Sequence, residues 1–239
     1  MLTDPGGLIT EQEATDARQK IDNLQAYGIS IKEDFGYLID VTIQSPLGDP
    51  LTAQCGWRKG NWELWELETV EEAVTDIAEA LNGSFRSLMG HTDIKRVRIG
   101  WAGKRAYSNA SNLVLPDGVF YREGNDIPKG TPDPEFVKYD VAHEYAHIWD
   151  WRNNYEISHR LHEEIVEGET MFTAWGPVQY RTWVEPPLTE YGYTNSREDW
   201  AETFAAYVYP VYVSSSRPGG RLISRAPIRY EFVSAEVAP

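Results

Sequence analysis

Cysteine is nearly missing from this sequence: Cys55 is the single one in 239 residues. No internal disulfide can form, so packing and polar pairing must hold the fold. Cys55 lies in AQCGW with no histidine nearby, and reads as a small buried hydrophobe rather than a nucleophile. Positive charge is scarce as well, with 22 Lys and Arg against 37 Asp and Glu, a net charge of −15. So acidic a chain repels phosphate backbones and anionic lipid, which argues against nucleic-acid and membrane partners. The one basic run, IKRVRIGWAGKR at 94–105, reads as a solvated strand face; a substrate-steering patch is the sharper alternative. No apolar run approaches the roughly 18 residues of a membrane span. The opening MLTDPGGLIT has neither a basic n-region nor an apolar h-region. A cytoplasmic location is expected, or secretion if a leader has been removed. Two sequons, at Asn82 and Asn109, matter only in a secretory pathway.

Apolar and aromatic side chains are plentiful, at 41% and 13% with nine Trp, enough for a sizeable core. The patterning predicts helices at 10–28 and 69–83, each with a capping box and a closing glycine. Strand-like alternation fills the interval, with turns at Phe35-Gly36 and Lys59-Gly60 and with Trp57, Trp62 and Trp65 as packing residues. Strands are expected at 97–101, 106–108 and 112–116, then a Gly- and Pro-rich loop over 117–134. Asp133-Pro134 starts a helix that runs through VAHEYAHIWD. Further helices are expected at 158–172 and after Ser196, with a loop over 174–195 and a final strand in the tail. The fold class is therefore α+β: a small mixed or antiparallel sheet with an edge strand, and a mostly helical C-terminal part. Residues 1–90 read as an accessory α/β piece and 91–239 as the functional domain.

VAHEYAHIWD raises the functional question. Residues four apart share one helix face, so His143 and His147 can point at a common ion. Zinc takes neutral imidazoles, and a catalytic site adds a third protein ligand and an open position. Glu144, one step round the helix, is placed to take a proton from water, the physical sense of H-E-x-x-H. The third ligand should come from a second helix. NSREDWAETF offers Glu198 and Glu202, four apart on one face: one to bind metal, the other to hold a ligand histidine in its tautomer. His159, His162 and His91 read as surface or turn residues.

HEYAH followed by YGYTNSREDWAETF at 191–204 resembles the gluzincin metallopeptidases. The resemblance is nearest to the anthrax lethal factor-like family, which includes the Pro-Pro endopeptidases. It spans roughly residues 94–210 and leaves 1–90 uncovered. It implies that His143, His147 and Glu198 bind one zinc ion and that Glu202 partners a bound histidine. It implies that Tyr191 polarises the substrate carbonyl, with Tyr193 as the alternative donor, and that Asp150 orients a ligand or the helix. The expected activity is zinc-dependent hydrolysis of a polypeptide by a monomer, with Glu144 as general base. The alternatives are an inactive scaffold of the same fold and a zinc hydrolase of a non-protein amide. An extended substrate needs a strand edge, expected at Lys104, Ala106, Tyr107 and Ser108.

Overall fold

The computed structural model of the chain describes residues 11–32, 41–44, 50–53, 58–59, 62–98, 106–124, 127–173, 176–210 and 226–238. Cys55, Trp57, Lys104 and the turn at Phe35-Gly36 lie outside them. Among the described residues, helices combine with one small mixed sheet and three two-stranded ribbons. It divides into two compact units, residues 1–75 with 90–141 and residues 76–89 with 142–239. This partition differs from the expected pieces 1–90 and 91–239, since strands from either side of residue 90 pair in one sheet.

In the first unit, helix α1 (Glu11–Ala26) stops at Gly28, whose φ of 84° suits only a residue without a Cβ. Strand β1 (Ile29–Lys32) runs parallel to the later strand at 92–95, rather than turning back on its sequence neighbour. The neighbour, β2 (Val41–Gln44), pairs with β3 (Pro50–Ala53), and β4 (Arg58–Lys59) is short. The expected strand after Lys59-Gly60 is helical instead: α2 spans Leu64–Ala80, five residues ahead of the expected start. Alternating Trp, Glu and Leu mimic a strand there, but Leu67, Val70, Val74, Ile77 and Leu81 are buried at helical spacing. The Glu66 carboxylate accepts the Glu63 N–H at 3.1 Å, and Thr69, expected as a cap, sits inside the helix and donates to Trp65 O at 2.7 Å.

The short α3 (Phe85–Met89) leads to β5 (Thr92–Arg98), β6 (Tyr107–Asn109) and β7 (Asn112–Pro116). The sheet order is β1-β5-β7-β6, with β4 also on β5; β6 runs antiparallel at the end of that order. Arg96 corrects the reading of the basic run as a solvated face. It lies in phase with Thr92 and Ile94 and is fully buried. Its guanidinium meets Glu66 at 2.8 and 3.1 Å and Asp117 at 2.6 Å, donates to Leu115 O, and lies over the Phe120 ring. The expected loop at 117–134 holds α4 (Asp117–Phe120) and a hairpin of β8 (Tyr121–Gly124) and β9 (Ile127–Pro132). Prolines hid it; a two-stranded ribbon tolerates them because its outer N–H groups need no partner strand.

Helix α5 (Pro134–Arg152) begins as expected, with Asp133 Oδ1 accepting the Phe136 N–H at 3.1 Å. The second unit then takes over: α6 (Glu156–Ile165), a hairpin of β10 (Val166–Thr173) and β11 (Gly176–Trp183), α7 (Ser196–Val208) and α8 (Pro227–Glu236). Three expectations change. The helix expected to 172 ends at Ile165, the expected loop at 174–195 contains β11, and the tail forms a helix with Pro227 in its first turn. Among the described residues no helix is long and apolar enough to cross a membrane.

Candidate metal centre

Two helices of the second unit build the centre. The part of α5 from Ala142 onward is buried on nearly every side, with Tyr145, Ala146, Ile148 and Trp149 in the core. Helix α7 is held to it by packed rings and by polar contacts, of which Trp200 makes one. Trp200 packs edge-on to Trp149 at 5.4 Å and donates its indole N–H to Ala146 O at 3.0 Å. Ala146 lies between the two histidines, so this bond sets the height of α7 along α5. The start of α7 is fixed by Asn195, not Ser196: its side chain accepts the N–H groups of Arg197 and Glu198 at 3.0 and 3.1 Å. Before it, the turn Gly192–Thr194 approaches α7 closely. A Cβ on Gly192 would meet Pro187 Cβ at 3.1 Å and Asp199 Oδ1 at 3.3 Å.

Glu198 and the two histidines meet at a point. His143 Nε2 lies 3.1 Å from His147 Nε2, and Glu198 Oε2 lies 3.2 Å from each. These three residues are placed to hold a metal ion. The triangle suits a small tetrahedral cation, since zinc bonds of roughly 2.0–2.1 Å put neighbouring ligands about 3.3 Å apart. Two imidazoles and one carboxylate form a donor set that divalent transition metals take. Glu202, one turn beyond Glu198, takes His143 from behind, with its Oε1 3.0 Å from His143 Nδ1. That contact leaves Nε2 as the nitrogen facing the other ligands.

The electrostatics follow from this crowding. Burial works against a charged His143, yet hydrogen bonds to Glu198 and Glu202 prevail and push its pKa up to about 10. Burial also opposes a charged Glu198, but hydrogen bonds from both histidines hold its carboxyl well below the usual carboxylate range. The crowded carboxylates favour a cation at this point.

The remaining expected residues sort themselves by distance. Glu144 is buried on the same helix, between the two histidines in sequence. The Tyr191 ring stacks on His143 with centroids 5.9 Å apart and 30° between planes. Tyr193 instead sets its ring edge against Trp183 at 5.7 Å, so of the two tyrosines Tyr191 is the one that touches a candidate ligand. Asp150 serves the helix: its Oδ1 accepts the Ser158 N–H at 3.0 Å, fastening the start of α6 to the end of α5. In the first unit, Tyr107 and Ser108 lie on β6 at the end of the sheet order, and Ala106 is buried just before it.

Sequence reasoning missed a buried group beside the centre. Both Asp199 carboxylate oxygens accept from Arg229 Nη2, at 2.9 and 2.7 Å. Arg229 also donates to Glu185 O at 2.8 Å and approaches Glu185 Oε1 at 3.3 Å. No local signal marks Arg229, because Glu231 stands two residues away and its partners Asp199 and Glu185 lie 30 and 44 positions off in sequence. No protein-family model matches this chain, and no characterised protein matches it.

Proposed function

We propose that this chain is a zinc-dependent peptidase whose metal is held by His143, His147 and Glu198. The observation that supports the reading is the meeting of those three donors across 55 positions of sequence, with Glu202 on the outer nitrogen of His143. Zinc bound there would supply Lewis acidity, polarising a carbonyl and lowering the pKa of water toward ~7. Glu144 takes the proton of the attacking water and passes it to the leaving amine. The Tyr191 phenol, exposed at its edge and stacked on His143, donates a hydrogen bond to the carbonyl oxygen as charge develops. Glu202 keeps a proton on His143 Nδ1, so that Nε2 presents its lone pair. The substrate is a polypeptide, and the acidic chain favours cationic segments through long-range attraction.

Hydrolysis of unfolded casein tests this. Glu144→Gln should keep its metal and lose roughly 10²–10⁴-fold in rate, the usual worth of a general base. Tyr191→Phe should lose about 10²–10³-fold in kcat, as for one oxyanion donor. Cleavage by Glu144→Gln at the wild-type rate would rule out this mechanism.

A further inference from the structure

Glu198 is useful only if its carboxylate stands within a few tenths of an ångström of its place, since it sits 3.2 Å from two nitrogens at once. Asn195 caps its N–H, but the carboxylate stands on the first turn of α7, where helices fray unless the turn is anchored further on. The next residue is different. Asp199 is 1% exposed, and one guanidinium nitrogen grips both of its oxygens. A helix turned at Asp199 would carry Glu198 with it, since the two are neighbours on one rigid turn.

We infer that Arg229 is a positioning residue of the metal centre, fixing Glu198 through Asp199. Arg229 is itself immobilised from the far side. It is fully buried, and Glu185 holds it by its main-chain carbonyl and its carboxylate. Glu185 also accepts the N–H groups of Ile228 and Arg229, at 2.9 and 3.0 Å, and so pins the first turn of α8. The path is continuous: the 184–187 segment, the start of α8, Asp199 and then Glu198. Lysine cannot replace this group. A single ammonium offers a point charge, whereas the planar fork reaches Asp199 and the Glu185 carbonyl together. This role rests on the metal-centre reading above, and the test separates the two.

Zinc affinity of the full chain would be measured by competition with a chromogenic chelator, below the melting temperature of every variant. Arg229→Lys and Asp199→Asn should each weaken zinc about 10–100-fold, as loss of a ligand's supporting partner does. Glu185→Gln, the mildest change, keeps the carbonyl acceptor and serves if the other two fail to fold; it should weaken zinc several-fold. Glu236→Gln breaks the Arg160–Glu236 pair, 2.7 Å long, which ties the same helix α8 to α6 away from the centre. It should melt lower and bind zinc normally. If the Arg229, Asp199 and Glu185 variants melt lower yet bind zinc as tightly as wild type, Arg229 is only a structural residue and the inference is overturned. If Glu198→Gln itself binds zinc as wild type does, the centre is misassigned and the inference falls with it.

Discussion

His143 carries a carboxylate on each ring nitrogen, and that arrangement makes a pH prediction with a definite sign. Its folded pKa of about 10 lies above the ordinary 6.5. The stability it contributes is complete below pH 6.5 and is lost as pH rises towards 10. Glu198 is shifted down from 4.5, so its contribution is present above pH 4.5 and lost as pH falls below it. Metal-free protein should therefore melt highest between those two values, and its Tm should decline from pH 6.5 to 10 in EDTA. A metal ion bound to Nε2 would have to displace that proton, so the apparent affinity of the proposed zinc should climb over that same range. A flat Tm in EDTA from pH 6 to 10 would show that His143 is not charged in the folded chain. The histidine pair and the two glutamates were legible in the sequence because metal ligation demands fixed residue types at a spacing of four on a helix. Arg229 was not legible as a functional residue, because its partner Asp199 lies 30 positions away and only tertiary structure brings them together.

At the scale of elements, the pairing of α5 with α7 depends on Trp200. Its indole bond to Ala146 O and its edge-on contact with Trp149 tie the two helices in register, and Phe204 packs against the same Trp149. Trp200→Phe keeps most of the apolar area and should cost about 1 kcal/mol, the worth of one hydrogen bond. Trp200→Ala leaves a large cavity and should cost roughly 3–5 kcal/mol in urea unfolding. Wild-type stability in the alanine variant would mean that the two helices are held by other means. Elements with strong local signals were readable: α5 from its Asp-Pro start, and β7, whose bounds match the expected strand. The hairpins β8–β9 and β10–β11 were not. The first contains prolines, and the first strand of the second continues the polar, helix-like pattern of α6, so their identity as strands comes from their partners rather than from their own residues.

At the scale of the molecule, the sequence suggested one break near residue 90, whereas β1 pairs with β5 across it. That pairing is parallel and separated by 63 residues, from Ile29 to Thr92, and such a long crossover leaves no local trace in the pattern. The acidic balance and the lone cysteine, by contrast, are properties of the whole chain that the sequence states directly. All the residues of the candidate centre fall in the second unit, so its chemistry belongs to that unit's helices. Metal content tests whether those helices hold the proposed zinc, without depending on any assay of activity. Purified wild-type protein, reconstituted and desalted, should retain about one zinc per chain by elemental analysis. Glu198→Gln, treated in parallel, should retain far less. Wild-type protein that keeps no zinc after reconstitution would mean that the meeting of His143, His147 and Glu198 is packing alone.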